Sequence, residues 1–117
     1  MLEIVRIIDN SNIIEIRFNG DITIDELEEV RKKVHEIYDK HGLMHALLDM
    51  RDTKLDMSTL EIHNFAKSMS RPIGARIALL VNTLNTDTGF FHAVASNSGF
   101  PMNLFHKYSD ALSYLTE

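Results

Sequence analysis

The sequence predicts an α/β protein in which a β-hairpin is followed by three further strands alternating with four helices, giving a mixed five-stranded sheet. Three observations lead to this fold class. Two segments rich in β-branched residues, 2–8 and 13–18, are separated by a short polar turn, which is typical of an antiparallel hairpin. A helical pattern covers 24–41. An almost unbroken apolar run covers 76–81, as expected for a central parallel strand.

The hairpin and the first helix have the clearest local signals. Residues 9–12 are Asp-Asn-Ser-Asn, and such side chains bond the local backbone in tight turns. In the second strand Glu15 and Arg17 alternate with apolar residues, so we expect one face of this strand to contact solvent. Thr23 and Glu26 fit a capping box that begins the first helix.

The remaining elements are predicted from shorter patterns. In chain order they are a third strand over 44–50, a polar elbow over 51–56, a second helix over 60–69, a fourth strand over 76–81, a third helix capped by Thr86 or Asp87 and closed by Gly99, a last strand over 102–106, and a terminal helix capped by Ser109. Repeated strand–helix units after a hairpin imply a mixed sheet with right-handed crossovers.

Length and charge narrow the classes of function. The 117 residues are predicted to form one domain, 1–117. The formal net charge of −5 is unfavourable for binding nucleic acid. The absence of cysteine excludes disulfides and thiolate metal sites. The longest apolar run, 77–81, is too short to span a membrane, and the first residues do not resemble a signal peptide, so a cytoplasmic protein is expected.

Four segments form a series that points to a known family: LLDM (47–50), DMSTL (56–60), RIALLV (76–81) and NLFHKYSDALSYL (103–115). In this order they resemble the STAS, or SpoIIAA-like, superfamily, whose members include bacterial anti-sigma-factor antagonists and stand-alone domains. The likeness covers the whole chain in topology. It implies a SpoIIAA-like fold and a non-enzymatic regulatory role that is carried out through a partner protein.

In the phosphorylatable members of that family the elbow is Asp-Ser-Ser-Gly-Leu, and a kinase modifies the second serine. Asp56, Ser58 and Leu60 match this pattern, whereas Met57 and Thr59 replace the first serine and the glycine. The resemblance makes Ser58 a candidate phosphosite. The two departures make the sequence more similar to the stand-alone SpoIIAA-like branch, which is related in fold to lipid-binding domains of the CRAL-TRIO type.

Two interpretations of Ser58 stay open. As a switch, it would lie at a helix N-terminus, where aligned amide dipoles favour a phosphate group. As a cap, Ser58 and Glu61 would form a second capping box, with Met57 and Ile62 placed as a hydrophobic staple. The cap alone is sufficient to explain a serine at this position.

Polar residues gather at the expected carboxyl ends of the third and fourth strands: Asp49, Arg51, Asp52, Asp56, Asn82 and Asn85. Ligands of open α/β sheets bind beyond these strand ends, so the segment is a predicted binding site. A pair of aspartates could support acid–base chemistry if the pKa of one were raised. The favoured interpretation is that Arg51 neutralises its acidic neighbours and orders the elbow.

The histidines do not indicate a metal site or an active site. The six residues show no HxH or HxxxH spacing, so no metal or other cofactor is predicted. A hydrolase would use His92 with a nearby serine or aspartate, but the chain contains no G-x-S-x-G elbow. An enzyme is therefore not the expected class.

Large apolar side chains are concentrated in the last third of the chain: Phe90, Phe91, Phe100, Met102 and Phe105. Most are expected in the core, but some could form an apolar patch for a partner or a hydrophobic ligand. If the protein is a carrier of such a ligand, we expect an enclosed cavity between the third helix and the sheet. Its predicted lining is Phe90, Phe91, Val94 and Phe105.

Together these observations predict a non-enzymatic regulatory or protein-interaction module, with Ser58 as a candidate switch and a homodimer as one expected assembly. The alternative is a carrier of a small hydrophobic, lipid-like ligand, and a hydrolase is less favoured. The residues predicted to bind a ligand or partner are Asp49, Arg51, Asp56, Ser58, Asn82 and Phe91.

Overall fold

The computed structural model describes residues 2–82, 86–100 and 102–117. Along this part of the chain the elements are β1 (Leu2–Ile7), β2 (Ile13–Ile22), α1 (Ile24–His41), β3 (His45–Leu55), α2 (Thr59–Lys67), β4 (Ile77–Leu80), α3 (Thr86–Asn97), β5 (Asn103–Phe105) and α4 (Tyr108–Thr116). The strands form a five-stranded sheet in the order β1-β2-β3-β4-β5. β1 is antiparallel to β2, and all other neighbours are parallel. The predicted α/β class with a mixed five-stranded sheet is confirmed.

The helices cover the two faces of the sheet unequally. On one face, which we call the three-helix face, α1, α2 and α3 pack on alternate strand residues such as Ile16, Leu48 and Leu79. On the opposite face, the α4 face, Ala111 and Leu115 of α4 pack on Leu47 and Leu80. Crossovers that advance in one direction with one hand place their helices on a single side, which accounts for the three-helix face.

Two strands are longer than the sequence patterns predicted. β2 continues through residues 19–22, and β3 continues through 51–55, where a polar elbow was expected. The two extensions pair with each other from Asn19 with Asp52 to Ile22 with Leu55. Backbone pairing over long range therefore overrides the polar character of both segments, and the chain leaves the sheet only at Asp56.

The predicted start signals of α1 and α2 are confirmed. The Thr23 hydroxyl accepts from the Glu26 amide, and the Glu26 carboxylate accepts from the Thr23 amide; Ser58 and Glu61 repeat the same capping box. The Glu26 pKa lies below its ordinary value, chiefly because the carboxylate accepts the Thr23 backbone hydrogen bond.

Two other predicted helix starts are wrong. Ser109 does not cap α4, because the helix begins at Tyr108, two residues earlier than predicted, and Lys107 occupies the cap position. Thr86 and Asp87 lie inside the first turn of α3 rather than at its cap. The predicted glycine end of α3 is confirmed: Gly99 has φ +88°, and the Phe100 amide donates to the Ala95 carbonyl.

The amino ends of β3 and β4 are joined by a histidine. His45 Nδ1 accepts a hydrogen bond of 2.8 Å from the backbone amide of Arg76. The Arg76 guanidinium in turn donates to the carbonyls of Tyr114 and Glu117, which fixes the last turn of α4. Burial, assisted by the positive charge of Arg76, lowers the pKa of His45 below its ordinary value of 6.5.

Because the folded protein holds His45 neutral, stability should fall as the pH drops below about 6.5. In that range the unfolded chain takes up a proton at this residue more readily than the folded protein does. The pKa of His45, followed by NMR of the imidazole, should lie below 6.5, and His45→Gln should reduce the loss of unfolding free energy between pH 7 and pH 5. A measured pKa at or above 6.5 would contradict this assignment.

Candidate functional site

The most organised polar site lies on the α4 face, where β1, β2 and β3 run side by side. We call it the arginine–carboxylate network, and its members are Arg6, Glu15, Arg17, Asp49 and Arg51. The two carboxylates are almost completely buried, whereas the three guanidinium groups reach solvent. Only Asp49 and Arg51 were predicted from the sequence as site residues.

A shift in strand register places Arg51 on Asp49. Arg17 is opposite Asp49, but two residues later Asn19 is opposite Asp52, so β3 contains one extra residue in this interval. A bulge of this kind re-aims a side chain. Arg51 Nε and Nη2 donate to the two carboxylate oxygens of Asp49 at 3.0 and 2.9 Å, and the Arg51 amide donates to Oδ1 at 3.2 Å. The hydrogen bond to Asp49 also raises the pKa of Arg51. The expected neutralisation of Asp49 by Arg51 is confirmed.

The network continues across β2 to β1. Arg6 Nε donates to Glu15 Oε1 at 2.6 Å. Arg17 lies between the two carboxylates, with Nη2 3.8 Å from Glu15 Oε2 and Nε 3.5 Å from Asp49 Oδ2. The expectation that this face of β2 contacts solvent is wrong for Glu15, which is 1% exposed. Its burial is tolerated because two guanidinium groups accompany it.

Tyr108, the first residue of α4, packs over the network. Its ring centroid lies 5.9 Å from Arg51 Cζ, and its hydroxyl faces Glu15 and Arg6. Burial, followed by the hydrogen-bonding and negative charge of Glu15, raises the pKa of Tyr108. The phenol therefore stays protonated near neutral pH and acts as a neutral hydrogen-bonding group.

The resulting surface presents arginine side chains to solvent. The Arg6, Arg17 and Arg51 side chains are 55%, 47% and 32% exposed, whereas their carboxylate partners are at most 3% exposed. Solvent therefore meets guanidinium groups whose positions are set by buried acids. Such an arrangement favours binding of polar or acidic groups, since paired charges fixed in place give specificity.

The strand-tip residues form a second group. Asn82 Nδ2 donates to the Arg51 carbonyl at 3.0 Å, which links the end of β4 to β3. Asp56 is exposed, and its amide donates to the Ile22 carbonyl at 2.7 Å. The structure thus brings Asn82 to Arg51, but it separates exposed Asp56 from buried Asp49. Asn85 lies outside the described residues.

Ser58 begins α2 at the same end of the sheet and is exposed. Its hydroxyl accepts from the Glu61 amide at 3.1 Å, and its amide donates to the Glu61 carboxylate at 2.8 Å. Met57 packs against the core cluster that contains Ile62, as the predicted staple requires. Leu60, in the first turn, is 67% exposed. Ser58 is therefore a cap whose hydroxyl and flanking residues reach solvent.

An apolar cavity of about 60 Å³ lies on the three-helix face, between α1, α2 and β3. Its lining includes Phe18, Leu27, Val30, Val34, Tyr38, Ala46, Leu48, Met50, Phe65, Met69, Ile77, Phe91 and Phe100. The predicted site residue Phe91 is in this wall, 1% exposed and stacked on Phe65 at 6.2 Å between ring centroids. The predicted lining is wrong for the other three residues: Phe90 and Val94 pack against the same core cluster without lining this cavity, and Phe105 packs on the α4 face.

Arg31 lines one side of the cavity. Its Cζ lies 4.5 Å from the Phe65 ring centroid, and Nη1 donates to Ser68 Oγ at 2.7 Å. The same guanidinium pairs with Glu28. Polar contacts thus hold the α1 and α2 sides of the cavity together, while the interior is apolar.

The residues considered for catalysis and metal binding do not converge. His92 Nε2 lies 2.8 Å from the Met102 carbonyl, and no hydrogen bond joins His92 to a serine or aspartate in the described part of the chain. Among residues 2–82, 86–100 and 102–117, no group of three or more acidic or histidine side chains is placed to hold a metal ion. None of the described helices combines the length and apolar character needed to cross a membrane.

Comparison with known proteins adds no identification. No protein-family model matches the chain, and no curated protein matches it. The resemblance to the STAS, or SpoIIAA-like, superfamily therefore stays a prediction from the quoted segments, and the site has to be interpreted from its own geometry.

Arg6, Glu15, Arg17 and Tyr108 were missed as site residues. One signal was present: a hairpin with its turn at 9–12 places Arg6 opposite Glu15, the register that the structure shows. An opposite-charge pair across two strands was therefore predictable. The link to Asp49 and the cover by Tyr108 depend on long-range packing that no local pattern reveals.

Removing the guanidinium of Arg51 should leave Asp49 buried with Arg17 as its remaining partner. We expect Arg51→Met to lower the free energy of unfolding by about 2 kcal/mol, which is less than for a fully buried pair because Arg51 reaches solvent. Urea unfolding measures this directly. Lys54→Met, an exposed change in the same strand, should stay within about 0.5 kcal/mol of wild type. Equal effects of the two changes would contradict a structural role for the network.

Proposed function

We propose that this chain is a non-enzymatic regulatory module that binds a protein partner through the surface formed by Asp56, Ser58 and Leu60. The observation that carries the proposal is an exposed capping serine placed between an exposed carboxylate and a leucine that is 67% exposed. An apolar side chain in the first turn of a helix contributes nothing to the core at that exposure. It is suited to contact another protein.

The position of Ser58 supports regulation by phosphorylation. A phosphate on its oxygen would face the first amides of α2, where the helix dipole favours negative charge. It would also approach the Glu61 carboxylate, which now bonds the Ser58 amide. Repulsion between the phosphate and Glu61 would break one half of the capping box. Modification would thus change both the charge and the local structure of the surface.

The resemblance to anti-sigma-factor antagonists supports the same site. Asp56, Ser58 and Leu60 match the family pattern, and the matched serine is the one that a kinase modifies there. Thr59 stands where that family has glycine, so the backbone here is less accessible to a partner. A partner of this chain would therefore contact side chains such as Leu60 more than the main chain.

Substitutions at Ser58 distinguish a regulatory role of this residue from a purely helix-capping role. Ser58→Asp keeps a good capping residue and adds charge, so stability should stay near that of wild type while partner binding changes. Ser58→Ala should lose about 1 kcal/mol of unfolding free energy and keep binding. The measurements are urea unfolding and a pull-down from the native cell extract, quantified by mass spectrometry.

Thr23→Ala is the matched control, because it removes the other capping box at a similar cost in stability. It should leave the captured proteins unchanged. If Ser58→Asp captures the same proteins in the same amounts as wild type and Thr23→Ala, regulation at Ser58 is wrong. If Leu60→Ser also leaves capture unchanged, the proposed surface is wrong.

A second candidate function is binding of a small hydrophobic ligand, and the apolar cavity supports it. A cavity of about 60 Å³ exceeds several-fold the space that one water molecule needs, and its walls are mainly apolar. Such a cavity favours apolar occupants over water. The ligand would lie between α1 and β3, rather than between α3 and the sheet as the sequence suggested.

Filling the cavity tests this second function. Ala46 is a buried wall residue, so Ala46→Val should reduce binding of a small apolar probe such as xenon without a large loss of stability. Xenon should raise the melting temperature of the wild type but not of Ala46→Val. Ile73→Ser, which removes a fully exposed apolar side chain, is the control for surface binding and should respond as wild type does. Equal shifts in all three proteins would exclude the cavity as the site.

A further inference from the structure

β1 is an edge strand with free backbone groups on its outer side. In the part of the chain that the structure describes, its one strand neighbour is β2. The Ile8 amide donates to the Ile13 carbonyl, and side chains and amides alternate along a strand, so the amides and carbonyls of Glu3, Val5 and Ile7 face away from the sheet. An unpaired strand edge can pair with a strand of another molecule unless proline, lysine, a bulge or a short strand length prevents it.

β1 lacks the residues that usually prevent pairing at an edge strand. Its sequence, LEIVRI, contains no proline or lysine. Arg6, its basic residue, is directed toward Glu15 on the α4 face rather than across the edge. Ile4, on that same face, is 40% exposed. The opposite edge of the sheet, β5, is only three residues long, which makes β1 the more favourable edge for strand pairing.

The helix above this edge has a self-complementary charge pattern. Glu29, Lys33, Glu36 and Lys40 are exposed and follow one stripe of α1. Lys33, Glu36 and Lys40 flank Val5 in a shallow groove between α1 and β1. When the stripe is placed antiparallel to a copy of itself, each acid meets a base, with Glu29 opposite Lys40 and Lys33 opposite Glu36.

We propose that two copies of this chain form a homodimer by antiparallel pairing of β1 with β1 of the partner, with the two-fold axis at Ile4. In this register Val5 exchanges backbone hydrogen bonds with the partner's Glu3, and Ile4 lies directly beside the partner's Ile4. Closely spaced pairs of this kind bring side chains into contact. The two sheets would join into one continuous ten-stranded sheet, a form of β-augmentation.

The helix stripe and the strand register agree on the position of the axis. α1 runs parallel to β1 and lies over β1 and β2. Val5 is beside Ile37, and one strand residue advances about as far as two helical residues. An axis at Ile4 therefore passes near the midpoint between Glu29 and Lys40. With strands about 4.8 Å apart, the two α1 axes would lie roughly 10 Å apart, which is an ordinary packing distance for helices.

The dimer is independent of the surface proposed for the partner protein and of the apolar cavity. It would use the β1 edge and the outer side of α1, whereas Ser58 lies at the start of α2. A two-fold dimer would present the Ser58 surface twice, once on each subunit. Failure of either proposal leaves the other in place.

Charge exchange on α1 is the first test, read as the dimer dissociation constant in sedimentation equilibrium. The monomer mass is 13.4 kDa, and the wild type should reach twice this mass. Glu29→Lys alone and Lys40→Glu alone each place like charges across the axis twice, so each should raise the dissociation constant on the order of tenfold. The double change restores unlike pairs and should return it close to wild type. A wild type that stays monomeric at 100-fold varied concentration, or a double variant weaker than both single variants, would overturn the proposal.

An engineered disulfide tests the register, because the chain contains no cysteine. Ile4→Cys places two thiols on the axis at a separation suited to a disulfide, so oxidation should give a covalent dimer in high yield. Ser113→Cys, exposed on α4, is the matched control and should stay largely uncrosslinked. Equal yields for the two variants would exclude the Ile4 axis, and a covalent dimer specific to Ile4→Cys would support it.

Discussion

The parallel pairing of β2 with β3 is the constraint on which the other features depend. It extends from Ile13 and His45 at one end to Ile22 and Leu55 at the other, longer than any other pairing in the sheet. Its middle buries Glu15 and Asp49, and its single register shift directs Arg51 back to Asp49. Its far end sets where the chain leaves the sheet before Ser58. On the three-helix face the same two strands form the floor of the apolar cavity.

The two faces of these strands differ because residues alternate in direction along a strand. One face presents Ile16, Phe18 and Leu48 to the cavity, and the other presents the arginine–carboxylate network. Buried ion pairs add little net stability compared with apolar side chains, but breaking one is costly. The network is therefore better explained as fixing strand register and surface charge than as the main source of stability.

Features with local causes could be predicted from the sequence, and features with distant causes could not. The capping boxes at Thr23 and Ser58 are each set by residues three positions apart, so they were predicted correctly. The extensions of β2 and β3 consist mainly of polar residues and glycine, with one buried apolar residue at the end of each, and they become strands because each pairs with the other. Glu15 fits a solvent-facing position by its polarity, and its burial involves Arg6 of β1 and Tyr108 of α4 as well as Arg17 on the same strand. Asp49 and Arg51 were identified because polar residues gather at the expected carboxyl end of the third strand.

The sharing of Arg17 between two buried carboxylates has a consequence for how this sequence can change over evolution. Arg6 with Glu15, and Asp49 with Arg51, form pairs whose members can be exchanged together for apolar residues of similar size. Arg17 contacts both acids at 3.8 and 3.5 Å, while each acid also has a closer arginine of its own. Substitution of Arg17 should therefore be tolerated while Arg6 and Arg51 are both retained, whereas the members of each closer pair should change together.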